Sequence, residues 1–177
     1  RIKALTKRGG KLVVIDPRFT ETAQLASEHH YITPGSDALF LLAVLQTIFS
    51  EDLADPGALA DIVDGLDAVA EAISDFTPEF AAPHTGISAE DTRRIARELA
   101  AAEAGICYGR MGISTQAYGG LNQWLTQVIN IATGNLDREG GSLFTLPAVD
   151  QMSGITPGGF GRHHSRVRGL PEFDREL

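Results

Sequence analysis

Four consecutive apolar residues, Leu12-Val13-Val14-Ile15, stand between Gly9-Gly10 and Asp16-Pro17. A run that short, bounded by turn formers, suits a strand buried on both faces better than a helix. Pro17 has no backbone donor and pushes Asp16 into an extended conformation, so the strand stops with Asp16 at its carboxyl end. Residues 20–27 read as a short helix with Thr20 as N-cap and with the alanines and Leu25 packing inward. Residues 30–33 read as a second strand. Pro34-Gly35-Ser36-Asp37 then leads into eight consecutive apolar residues, 38–45, continuing to Phe49. Such a run predicts a helix buried on all sides. At about 14 residues it is well short of the ~20 needed to span a membrane.

Residues 51–103 change character, with thirteen acids against three bases and no strand-like run. Asp55-Pro56 and Thr77-Pro78 each place an N-cap before a proline at the first helical position. Ser88-Ala89-Glu90-Asp91 resembles a capping box with Asp in the fourth place. Behind it Ile95 and Leu99 fall one turn apart on a helix that Gly105 would end. The acidity reads foremost as a solvated outer face, with an acidic docking surface as the alternative. Ile106-Cys107-Tyr108 sits where a returning third strand belongs. Leu121, Trp124, Leu125, Val128, Ile129 and Ala132 then mark one face of a helix, stopped by Gly134-Asn135. From Arg138 onward the chain is rich in Gly, Pro and Arg without periodicity and reads as a long loop. These elements predict a three-layer, Rossmann-like α/β domain with a mostly parallel sheet over residues 1–141, a helical acidic insert at about 51–104, and a loop-rich tail at 142–177.

With 177 residues and 43% apolar content the chain is ordinary globular material with enough length for a real core. Its net charge of −8 argues against a nucleic-acid partner. The single cysteine, Cys107, rules out an internal disulfide and a cysteine-only metal cluster built from this chain alone. No signal-peptide pattern is present, and the first residues look like the middle of a helix. The expectation is a piece of a larger cytoplasmic protein, with any targeting signal outside these residues. The pairs His29-His30 and His163-His164 read as solvated or hydrogen-bonded histidines, since neighbours on a strand point in different directions.

Several blocks carry a resemblance. Val14-Ile15-Asp16-Pro17-Arg18-Phe19-Thr20-Glu21-Thr22-Ala23 is followed by Pro34-Gly35-Ser36-Asp37 before an apolar helix. Tyr108-Gly109-Arg110-Met111-Gly112 runs into Ile113-Ser114-Thr115-Gln116. Asn130-Ile131-Ala132-Thr133-Gly134-Asn135-Leu136-Asp137-Arg138-Glu139-Gly140-Gly141 closes the series. Less specifically, Thr77-Pro78-Glu79 and Thr85-Gly86-Ile87-Ser88 fall between them. In that order the blocks resemble the molybdopterin oxidoreductases, the group of formate dehydrogenase, nitrate reductase and dimethyl sulfoxide reductase.

The resemblance implies a domain for molybdopterin guanine dinucleotide, two of which hold one molybdenum in the parent enzyme. It also implies an iron–sulfur cluster outside this chain. The implied partners are the remaining domains of the parent and an electron-transfer subunit, with no nucleic acid and no membrane insertion. The cysteine group for the cluster and a ligand for molybdenum are missing from these residues, so the chain alone is expected to be inactive. By resemblance the loop after Gly109 approaches the pterin, with Met111, Gly112, Ser114, Thr115 and Gln116 as contacts. Many relatives carry Gln-His near here, where this chain has Thr115-Gln116-Ala117.

Physical chemistry gives each candidate a role and a plainer alternative. A carboxylate can accept paired N–H donors from guanine, and Asp37 is favoured for the base and Asp16 for the ribose, with the reverse nearly equal. The alternatives are a helix-dipole role for Asp37 and an Asx turn at Asp16-Pro17. Gly35 would allow close backbone approach, and Ser36 would cap a helix whose N-terminus favours phosphate. Arg18 would pair with a phosphate or with an acid, Thr20 and Thr22 are caps in the simpler view, and Met111 could be core packing. Two further readings stand beside this one. A generic dinucleotide-binding dehydrogenase would need Gly-x-Gly-x-x-Gly after the first strand, where Asp-Pro-Arg stands. A docking module would keep the fold without the nucleotide.

Overall fold

A computed structural model of the chain describes residues 2–143, so the tail with His163 and His164 lies outside the described residues. Helix α1 (Ile2–Lys7) feeds strand β1 (Val13–Ile15), and the short helix α2 (Glu21–Gln24) crosses to strand β2 (Glu28–His30). The two strands pair in parallel, with Val13 opposite Glu28, Val14 opposite His29 and Ile15 opposite His30. The architecture is mixed α/β.

Against expectation, β1 is half-buried along its length and not covered on both faces. The second strand forms two residues earlier than residues 30–33. Its side chains are polar, so local propensity hides it, and its place is fixed by pairing with β1. Leu25 is 42% exposed, while Ala23 is buried. At four residues α2 turns too little of itself toward the sheet to cover both.

Helix α3 (Asp37–Ser50) is the centre of the unit, buried at most of its positions as its apolar run predicts. It packs against α5 (Pro78–Thr85), α6 (Ala89–Ala100) and α8 (Gly119–Ala132). Leu45 and Ile48 of α3 meet Leu125 and Ile129 of α8 in a core from which all four side chains exclude solvent. Burying each such side chain contributes about 2 kcal/mol. No helix among the described residues is long and apolar enough to cross a membrane.

The acidic region is helical, and two of its caps form as the sequence dictates. Thr77 Oγ1 accepts from the Phe80 N–H at 3.2 Å, with Pro78 in the first turn. Ser88 Oγ accepts from the Asp91 N–H at 3.0 Å, and its hydroxyl donates to Asp91 Oδ2 at 2.7 Å. After Asp55-Pro56 there is only the 3₁₀ turn Gly57–Leu59, and α4 (Leu66–Ala72) starts later. Helix α6 ends at Ala100, ahead of Gly105. Several of the acids are ion-paired and not merely solvated: Glu51 with Arg97, Glu79 with Arg93, and Asp91 and Glu98 with Arg94.

The expected third strand does not form. Residues 105–109 carry no ladder to β1, so the sheet among the described residues holds two strands. The segment is held instead from the side of α8, through alternate residues. Asn130 Oδ1 accepts from the Cys107 N–H and Asn130 Nδ2 donates to the Cys107 carbonyl, both at 2.8 Å. Asn135 Oδ1 accepts from the Gly105 N–H at 3.0 Å. Side-chain amides of α8 and the turn after it thus pair the backbone groups of Gly105 and Cys107 on that side.

Candidate functional site

Parallel pairing puts the carboxyl ends of β1 and β2 side by side, joined there by the Asp16 N–H donating to the His30 carbonyl at 3.1 Å. The loops that follow, residues 16–20 and 31–36, therefore leave from the same edge of the sheet. That edge is where open α/β sheets bind ligands. A third segment joins the second loop: Gln116, just beyond α7 (Met111–Ser114), donates through Nε2 to Asp37 Oδ2 at 2.7 Å. The same amide donates to the Gly112 carbonyl at 2.7 Å. Asp37, Gly112 and Gln116, 79 residues apart at the extremes, are thereby brought together.

The other candidates behave less uniformly. Asp16 Oδ1 accepts from the Arg18 N–H at 2.7 Å, the Asx turn foreseen as its plainer role. Pro17 and Arg18 are exposed on that turn. Thr20 caps α2, accepting from the Ala23 N–H at 3.2 Å. Gly35 has φ of +87° and an added Cβ would meet nothing within 4 Å, so glycine here serves a left-handed turn and not a close contact within the chain. Ser36 does not cap α3; its hydroxyl donates instead to the Thr33 carbonyl at 2.7 Å. The turn at 33–36 uses up the group that the cap would need. Met111 is 68% exposed, which removes core packing as its role. Thr115 is exposed and its hydroxyl donates to the Met111 carbonyl at 2.8 Å.

One polar atom at the meeting point has no partner: Gln116 Oε1 is buried among the described residues without a hydrogen bond. An unpaired buried carbonyl costs about 1–3 kcal/mol, so a site retaining one is shaped to meet a donor. With the Asp37 carboxylate beside it, the loop junction presents acceptors suited to an N–H-bearing ring.

The histidines have ordinary structural work. His29 Nε2 lies 3.1 Å from the Asp16 carbonyl, and its ring stands edge-on to Phe19 and Tyr31, with centroids at 5.4 Å and 4.6 Å. His30 Nε2 is 2.5 Å from Glu28 Oε1. Glu28, His30 and Asp91 lie close enough together to suggest a metal site. However, Arg94 bonds both carboxylates and Lys11 reaches Glu28 at 2.8 Å, so cations already neutralise the cluster. The Arg94 guanidinium foremost holds the Glu28 carboxyl down at about 2, with Lys11 and His30 adding to it against the opposing effect of burial.

Sequence reasoning missed the asparagines that set the loop after residue 105. Asn122, fully buried, donates to the Ile113 carbonyl at 2.9 Å, and Asn130 and Asn135 hold Cys107 and Gly105. The available signal is the spacing of Asn122 and Asn130, eight apart, on the same helix face as Thr126.

No family model matches the chain. It is 34% identical to formate dehydrogenase H of Escherichia coli over 75% of its length, which is 18% of that protein. It is 32% identical to the molybdopterin-containing subunit of thiosulfate reductase from Salmonella typhimurium over 76% of its length, again 18% of that protein. Among solved structures it superimposes on acetylene hydratase from Pelobacter acetylenicus with a TM-score of 0.70 and 25% identity, covering 75% of this chain and 18% of that one. The chain therefore spans about a fifth of the length of these relatives. It belongs to the molybdopterin oxidoreductase family and corresponds to one region of such an enzyme.

Proposed function

We propose that this region binds the guanine dinucleotide part of a molybdopterin cofactor within a larger molybdenum oxidoreductase. The observation that carries the reading is the junction of Asp37 and Gln116, where a carboxylate and an unpaired buried carbonyl converge. In this reading Asp37 accepts from the guanine N–H groups, Gln116 Oε1 accepts a further ligand donor, and Asp16 faces the ribose. Arg18 offers its guanidinium to a phosphate. Gly35 leaves the turn before α3 open to a ligand. Met111, Gly112 and Thr115 lie on the pterin side, while Pro17, Thr20 and Ser36 shape the loops that receive the dinucleotide and complete its set of contacts.

When bound, the molybdenum cofactor supplies the redox centre; the residues here bind and orient it. The remaining domains, an iron–sulfur cluster and an electron-transfer partner belong to the parent. The division into a cofactor domain at 1–141 and a tail at 142–177 goes with this reading. So does a larger Rossmann-like, three-layer sheet, of which β1 and β2 are one part.

Calorimetric titration of the chain with GDP tests the proposal, with ATP as control and Asp37→Asn alongside. Guanine-selective binding that the variant loses supports it. A folded chain that binds GDP and ATP equally, or ignores the substitution, would sink it.

A further inference from the structure

We infer that residues 109–118, with α7 at their centre, form a hinged lid over Asp37, latched by Gln116. The inference rests on the nucleotide reading only for what fastens the lid. No residue of α7 is buried, and Met111 and Tyr118 are 68% and 63% exposed, so apolar packing does little to hold the segment down. Gly109 before it and Gly119-Gly120 after it are its hinges, because glycine absorbs large changes of φ and ψ. The backbone bonds of α7 are local. Ile113 and Ser114 donate to the Arg110 carbonyl and Thr115 donates to the Met111 carbonyl, each at 3.1 Å. The segment therefore moves as one piece.

Three side-chain amides tie this piece to the rest of the described residues. Gln116 Nε2 donates to Asp37 Oδ2 at 2.7 Å, Asn122 Nδ2 to the Ile113 carbonyl at 2.9 Å, and Gln123 Nε2 to Ser114 Oγ at 2.7 Å. In the first two the nitrogen faces an acceptor, which fixes the orientation of the amide and sends its oxygen the other way. Among the described residues two buried side-chain atoms have no hydrogen bond, Gln116 Oε1 and Asn122 Oδ1, and both belong to these tethers. The neighbouring clamp on residues 105–107 is built differently. Asn130 uses both its oxygen and its nitrogen on Cys107, and Asn135 uses its own on Gly105 and Thr133. There the amides are fully paired; over α7 they are half-paired.

An orphaned buried carbonyl weights the shut position down by about tenfold, and lifting the lid gives both orphans to water. The tethers weight it up by a similar factor, so shut and open forms coexist. Opening also releases Asp37 Oδ2 from Gln116. On the nucleotide reading, a ligand then reaches Asp37 and the lid closes with a ligand donor on Gln116 Oε1. That pairs one orphan and shifts the balance toward the shut form by about tenfold.

Relaxation-dispersion NMR of the side-chain NH2 groups in the full 177-residue chain is the test, since it reads exchange on the μs–ms scale of lid motion. In the empty chain Gln116, Asn122 and Gln123 share one exchange rate, while Asn130 and Asn135 give flat profiles. Asp37→Ala removes the acceptor of the latch and raises the open fraction about tenfold, which moves the Asn122 and Gln123 resonances toward their open positions. Flat profiles for Gln116 and Asn122 in both proteins, matching Asn130 and Asn135, would overturn the lid. GDP that shifts the first turn of α3 and quenches the exchange supports the fastening. GDP that binds there and leaves the exchange unchanged would overturn the fastening and spare the nucleotide reading. No response to GDP would sink the nucleotide reading and the fastening together, and the exchange in the empty chain would still decide the lid.

Discussion

The side-chain amide of Asn130 forms a closed pair with the backbone of Cys107, donating to its carbonyl and accepting from its N–H, both at 2.8 Å. Asn130 is 1% exposed, so the pair works in a dry setting where each lost partner is costly. Replacing Asn130 by Ala leaves two backbone groups unpaired. We expect a loss of about 2–4 kcal/mol in urea unfolding, at ~1–3 kcal/mol per orphaned group with partial relief by water. Asn130→Asp at pH 7 sets an uncompensated buried carboxylate against the Cys107 carbonyl and should cost at least as much as Asn130→Ala.

The thiol of Cys107 reports on the same packing. Burial pushes it up to about 12. A thiol raised in the folded state stays neutral while the unfolded chain ionises near its ordinary value. Its contribution to stability is therefore intact below about pH 9 and lost as pH climbs toward 12. Alkylation by iodoacetamide at pH 8 should be slow in the native chain and accelerate at least tenfold in Asn130→Ala, a rate measured readily by mass spectrometry.

Much of the helical part was legible. The apolar run before Phe49, the Thr77 cap with Pro78 and the Ser88 cap all act within a few residues, and each forms where the sequence places it. What escaped depends on distant partners. The polar triplet Glu28-His29-His30 is a strand because β1 lies beside it. Residues 106–108 have a strand's composition, yet no strand among the described residues lies beside them, and Asn130 holds Cys107 from 23 residues away. In α8 the stripe holds from Leu125 onward, but Leu121 and Trp124 at its start are 38% and 48% exposed, because the first turn buries Gly119 and Asn122 instead. Of the candidate site, the loops were found and the link between them was not: nothing local in either Asp37 or Gln116 announces the other.

Glu28 makes stability depend on acid. It pairs with Arg94 and Lys11, which joins β2 to α6 and to the approach of β1. Its carboxyl sits at about 2 when folded, against an ordinary value of 4.5. A depressed carboxylate contributes its full stability above the unfolded value and loses it as pH falls through the folded one. Urea unfolding should therefore weaken steadily from about pH 4.5 to pH 2. In Glu28→Gln that acid limb should flatten, and stability at pH 7 should drop by about 2 kcal/mol, the scale of a charge-assisted hydrogen bond. An unchanged acid limb in the variant would assign the effect to other carboxylates.

Two glycines separate backbone strain from steric exclusion near the Asp37–Gln116 junction. At Gly35 a Cβ meets nothing within 4 Å, so Gly35→Ala pays only for φ of +87°, about 1 kcal/mol. At Gly119 the φ is ordinary, but a Cβ would stand 1.9 Å from the Ser114 carbonyl oxygen. That oxygen belongs to the backbone and cannot swing aside. Either α8 shifts at its first turn or the segment after α7 moves outward, and Gln116 moves with it. Gly119→Ala should cost about 3 kcal/mol, at the upper end of overpacking effects. It should also displace the Gln116 side-chain amide resonance in an NMR spectrum, because the bond to Asp37 depends on where residues 114–118 lie. Gly35→Ala should leave that resonance in place. If both variants moved it equally, the junction would be governed by the turn before α3 and not by the close approach of Ser114 to Gly119.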